Sequence, residues 1–187
     1  MRGLLVIAAA MLTSAGPPVW PATVPRPSPE LAIKQPQGNT SYLSSLKGKV
    51  VVVEFLFVKS EHCLRVARML KSLYGELGAR GFQPVAIVFD PPNSAPTGEA
   101  LITAIKASLH LDFPVGYAFK SEVDAYLSRG RDEILNIPQL VVIDRSGAIR
   151  ATSGGRGGAT VLEDVGALRT LIEALLNEST ASGSARK

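Results

Sequence analysis

The chain has 187 residues, 46% of them hydrophobic, and a formal net charge of +4 from 20 Lys and Arg against 16 Asp and Glu. That length and apolar content suit one domain with a substantial core and exclude an intrinsically disordered chain. The single cysteine, Cys63, excludes an intramolecular disulfide framework and a thiolate zinc site, and the mild, scattered positive charge leaves no nucleic-acid footprint.

The first fifteen residues read as an export signal. Arg2 supplies a positive start, Gly3 to Leu12 an apolar stretch, and Thr13-Ser14-Ala15 a small-residue cleavage site. The stretch is shorter than the roughly 20 residues that span a bilayer, so no stable membrane span is expected unless an uncleaved signal tethers the chain. Residues 16–29 are Pro-rich and read as a spacer, because Pro lacks an N–H and fixes φ. The folded domain is expected over 30–178, with 179–187 a polar tail. The implied location is exported, periplasmic or extracellular.

Within the domain, Leu31 to Gln35 reads as a short strand. Val50 to Phe57 (VVVVEFLF) is a run of β-branched and aromatic residues, the pattern of a strand buried on both faces. Ser60 then stands as a helix cap. Cys63, Val66, Ala67, Leu70, Leu73, Tyr74 and Leu77 follow at helical spacing, forming one apolar stripe. Pro84 to Phe89 is a second apolar strand, 91–98 a loop, and Glu99 to Leu111 a helix. Phe113 to Ala118 is a short strand and Ser121 to Ser128 a short helix. Gln139 to Ile143 is a third strong strand, turning at Asp144-Arg145-Ser146-Gly147 into Ala148 to Thr152. Gly154 to Gly158 lacks the Lys-Ser/Thr of a phosphate loop and reads as a connection. Thr160-Val161-Leu162-Glu163 has the pattern of a capping box opening a last amphipathic helix. Strands alternating with helices predict an α/β fold, a central mixed sheet flanked by helices on both faces.

Several of these segments, in order, resemble thioredoxin-fold redoxins. The likeness is to exported TlpA/ResA-type thiol–disulfide reductases, near the AhpC/TSA (peroxiredoxin) group. Ser45-Leu46-Lys47-Gly48-Lys49 before Val50 to Phe57 resembles that family's lead into its first core strand. Ile137-Pro138-Gln139-Leu140-Val141-Val142-Ile143-Asp144 resembles the segment whose proline is cis, and Arg145-Ser146-Gly147-Ala148-Ile149 its following hairpin. The resemblance implies a thioredoxin-like fold and a thiol-dependent oxidoreductase with antioxidant or redox-homeostasis roles. Its partners would be thiol or disulfide proteins, small thiols or peroxides.

At the site the sequence departs from the family. Where Trp-Cys-x-x-Cys is expected it has Lys59-Ser60-Glu61-His62-Cys63, so Ser60 stands in place of the attacking cysteine and Cys63 in place of the resolving one. One thiol cannot resolve a mixed disulfide from within the chain. The catalytic candidates are therefore Cys63 as nucleophile, Glu54 as its proton acceptor by resemblance, and Ser60 as hydrogen-bond donor. Pro138, Ile137 and His62 are the substrate-binding candidates.

In the first turn of a helix Cys63 would be stabilised as a thiolate; on an apolar stripe it would equally serve as a small inert hydrophobe. Ser60-x-x-Cys63 also matches the short hydroxyl-x-x-Cys pattern of peroxiredoxins, but Leu56 stands where their Pro is expected and Pro138 where their Arg is. No cofactor is expected. Cys63, His62 and the distant His110 are too few and too scattered for a metal site. The alternative function is a degenerate thioredoxin-fold protein that binds a peptide or protein partner without redox chemistry.

Overall fold

The computed structural model describes residues 24–89, 98–130, 133–153 and 160–178. The expected export signal, most of the Pro-rich spacer, the Gly-rich connection and the polar tail lie outside the described residues.

The centre of the molecule is built by three strands whose sequences leave no polar face. β4 (Val50–Leu56) and β5 (Phe82–Phe89) run parallel, and β7 (Gln139–Ile143) pairs antiparallel with β4; every residue in all three is buried. Such strands need cover above and below. The remaining strands are β1 (Arg26–Pro27), β2 (Ala32–Lys34), β3 (Thr40–Tyr42), β6 (Val115–Ala118) and β8 (Ala148–Thr152). They extend the sheet to the order β1-β8-β7-β4-β5-β6-β2-β3.

Among the described residues, cover comes from four helices: α1 (Glu61–Leu77), α2 (Gly98–Leu109), α3 (Lys120–Leu127) and α4 (Val165–Asn177). Period-two alternation along β4 divides the core in two. Val50, Val52 and Leu56 face the stripes of α1, α2 and α4, including Cys63, Leu70, Ile105 and Ile172. Val51, Val53 and Phe55 face Val123 and Tyr126 of α3, with Leu31 and Leu43. The fold is thus the mixed, two-face-covered α/β sheet expected, with three helices on one face and one on the other.

Two boundaries differ from the sequence reading. The spacer expected over 16–29 does not run to residue 29, because Arg26 and Pro27 pair with Ile149 and Ala148 of β8. Pro27 is tolerated there because β1 is the sheet's edge. The last helix begins later than the Thr160 pattern suggests. Thr160–Glu163 is a separate 3-10 turn, and Asp164 caps α4, its side chain accepting from the Ala167 N–H at 2.8 Å.

Strand direction fixes where chemistry can gather. β4, β5 and β6 all point the same way, and β7 begins where β4 ends, with Gln139 opposite Phe55. The chain leaves β4 at this end, at Leu56, and enters α1 at Glu61. The N-terminus of α1 and the Ile137–Pro138 loop therefore share one end of the sheet.

Candidate functional site around Cys63

Ser60 caps α1. Its Oγ accepts the backbone N–H of Cys63 at 3.3 Å, its carbonyl accepts from Leu64, and its own N–H donates to Phe57 O at 3.1 Å. The serine thus satisfies one of the four free N–H groups that open a helix. It is half-buried, at the solvent side of the turn.

Cys63 follows in the first turn and points the other way, into the apolar stripe, with 0% exposure. Burial pushes its thiol up, away from the thiolate, and the nearby Glu54 charge adds to that. The Ser60 hydroxyl and the backbone at Phe57 and Cys63 pull partly back. The helix N-terminus expected to favour the thiolate is outweighed by desolvation.

Among the described residues, Glu54 is the one charged residue that is fully buried. It sits mid-strand in β4, between Ala86 of β5 and Leu140 of β7, on the face that α1 covers. It is 0% exposed, and neither carboxyl oxygen has a hydrogen-bond partner. Desolvation pushes its carboxyl well above the usual carboxylate range. An acid left in this state has a large cost and no structural return.

The Ile137–Pro138 peptide bond is cis. Pro138 is buried, and Ile137 packs against both halves of the core. Together they close the end of the sheet beside α1. His62, adjacent to Cys63, has one ring nitrogen engaged by the protein itself. Its Nε2 lies 2.6 Å from Glu163 Oε2, a partner on the turn before α4. No motif or spacing points to this contact, since Glu163 reads from its pattern as part of a helix cap. Arg65 and Arg68 are exposed on the outer face of α1, away from the buried stripe that holds Cys63. Among the described residues no helix is long and apolar enough to cross a membrane.

A buried thiol at a helix N-terminus, a buried acid on the adjoining strand and a cis-proline loop at the same sheet end is the constellation expected of the redoxins. Residues 24–152 match the AhpC/TSA family. The chain belongs to the AhpC/TSA family. Among solved structures, a thiol:disulfide interchange protein of the thioredoxin family from Chlorobium tepidum is 20% identical, with a TM-score of 0.65 over 83% of this chain and 99% of that one. The thioredoxin domain of a thiol-disulfide oxidoreductase from Bacteroides vulgatus is 20% identical, with a TM-score of 0.63 over 83% and 99%. A secreted disulfide oxidoreductase of Mycobacterium tuberculosis is 16% identical, with a TM-score of 0.56 over 78% and 96%. These likenesses establish the thioredoxin-like fold. No curated protein matches the chain. In this AhpC/TSA chain, α4 and the turn before it lie beyond the matched residues.

Proposed function

We propose that this AhpC/TSA protein is an exported monothiol redoxin that carries out thiol–disulfide exchange through Cys63 alone. The observation that carries the reading is Glu54, a buried acid with no hydrogen-bond partner whose charge acts on the Cys63 thiol. Burial raises the Glu54 carboxyl well above its usual range, so its carboxylate form is a stronger proton acceptor for a thiol than an exposed carboxylate is.

In the first step the Cys63 proton passes to the Glu54 carboxylate and the sulfur attacks a substrate disulfide. One S–S bond breaks, a mixed disulfide with Cys63 forms, and the departing thiolate takes up the proton from Glu54. In the second step an external thiol attacks the mixed disulfide. Its proton returns to Cys63 and the oxidised product leaves. Ser60 donates no sulfur to this cycle; its hydroxyl holds the first turn and hydrogen-bonds toward the thiol. Ile137 and Pro138 provide the wall along which an extended substrate segment lies. The export part of the reading rests on the signal-like residues 1–15.

Peroxide chemistry is less well supported. It requires a cation against the thiolate, and among the described residues no Lys or Arg is one of the groups that shift Cys63. A second reading, partner binding without redox chemistry, draws support from the 0% exposure of Cys63. Incubating the native protein with oxidised glutathione decides between them. Exchange requires a mixed disulfide on Cys63 by intact mass. Absence of any adduct short of denaturation would leave only the binding role.

A further inference from the structure

The turn Thr160–Glu163 is fastened beside the site by two successive residues. Leu162 is 2% exposed and belongs to the same apolar cluster as Cys63. Glu163 holds the ring of His62, the residue immediately before Cys63, through Nε2 at 2.6 Å. Among the described side chains of the turn, Leu162 alone is buried. Val161 is 54% exposed and Val165, at the start of α4, is 49% exposed. Helix α4 is anchored independently, with Leu168, Ile172, Leu175 and Leu176 in the core and separate ion pairs to α1 and the turn that follows it, Arg169–Glu76 and Arg80–Glu173. Release of the turn would therefore leave the rest of the fold in place. An element with one buried apolar residue and one polar link belongs to the low-stability end of a structure, where local opening is cheap.

We infer that Glu163 is a positioning residue of the thiol site. Through His62 it keeps the turn, with Leu162, closed over Cys63, so that the thiol is reached by local opening of this turn. The inference builds on the thiol-exchange reading and names what controls access to it.

The test is the rate at which iodoacetamide alkylates Cys63 in the full native chain, at one fixed pH and at several urea concentrations below the unfolding transition. Glu163→Gln is expected to raise the rate about fivefold to tenfold in the absence of urea, the scale of one charge-assisted, partly exposed hydrogen bond. The urea dependence should stay shallow, because a local opening exposes little surface. Glu173→Gln, which removes a link of α4 that does not touch the turn, should leave the rate as it is. His62→Asn should raise the rate as Glu163→Gln does, and the double variant should add nothing, since both remove one contact. Rates that do not change in Glu163→Gln, or that rise only with the steep urea slope of global unfolding, overturn the inference. So does additivity in the double variant.

Reaction with oxidised glutathione separates the two readings. Faster alkylation of Glu163→Gln without a glutathione adduct upholds the turn and removes the exchange activity. Equal adduct formation in the unaltered chain and in Glu163→Gln upholds exchange and removes the turn.

Discussion

Glu54 of β4 lies near enough to Cys63 of α1 for its charge to act on the thiol, and both residues are buried completely. Each is therefore held toward its neutral form. For Cys63 burial is the larger cause and the Glu54 charge the smaller. Alkylation of Cys63 from pH 5 to 10 should follow an apparent pKa above the ordinary thiol value of about 8.5. Glu54→Gln removes the carboxylate and should shift that midpoint downward. A midpoint clearly below 8.5 in the unaltered protein would show an activated thiolate and contradict this electrostatic account.

The same buried acid sets a stability profile. With the folded-state value raised above the ordinary 4.5, the unfolded chain ionises Glu54 first as pH rises. Stability therefore falls with rising pH above about 4.5, until the folded-state carboxyl itself ionises. Glu54→Leu, similar in volume and apolar, should stabilise the fold by about 1–3 kcal/mol at pH 7. The gain should shrink toward pH 4 to the part that comes from burying an uncharged, unpartnered carboxyl, because both states of the original then carry a protonated acid. Urea unfolding of the two proteins at pH 4 and pH 7 measures this; a gain independent of pH would mean that shape, not ionisation, sets the cost.

The parts of this structure legible in the sequence are those whose pattern is local. The apolar runs of β4, β5 and β7 and the stripe of α1 announce themselves, because burial on one or both faces imposes its own period. β1 and β3 do not, since two- and three-residue strands exist only through partners distant in sequence, as Arg26 does through Ile149. The site divides in the same way. Ser60, Cys63 and the cis proline follow from resemblance and spacing, and the direction of Cys63 is contained in its place on the stripe. The His62–Glu163 contact spans a hundred residues and rests on how α4 returns across the sheet, and no period or motif encodes that.

The hairpin at the opposite end of the sheet gives a pH response of the other sign. Asp144 accepts from the N–H groups of Ser146 (2.9 Å) and Ala148 (3.0 Å) and pairs with Arg150 at 3.0 Å. Burial alone would raise its carboxyl, but these contacts outweigh burial and hold it below the usual range. A lowered folded-state value stabilises the fold above about pH 3.8 and is lost as pH falls through it. Asp144→Asn should cost about 1–2 kcal/mol at pH 7 and progressively less below pH 3.8. Equal destabilisation at pH 3 and pH 7 would assign the effect to turn geometry.

Ser60→Cys asks whether the frame for two-thiol chemistry survives. The introduced thiol would stand at the helix cap, on the solvent side of the first turn, three residues before Cys63 and at the sheet end closed by Pro138. That is the placement an attacking thiol needs, with a buried partner and Glu54 behind it to take the second proton. The variant should form an internal disulfide under mild oxidation and reduce a protein disulfide, such as those of insulin, at least about tenfold faster than the unaltered chain, because the mixed disulfide is now resolved from within. Loss of the serine cap should cost about 1 kcal/mol of stability, too little to unfold the domain. Oxidation without any reductase activity would mean that the cleft beside Ile137 and Pro138 no longer accepts a disulfide-bearing segment. Failure to oxidise at all would mean that the buried direction of Cys63 is fixed too firmly for its sulfur to meet a neighbour at position 60.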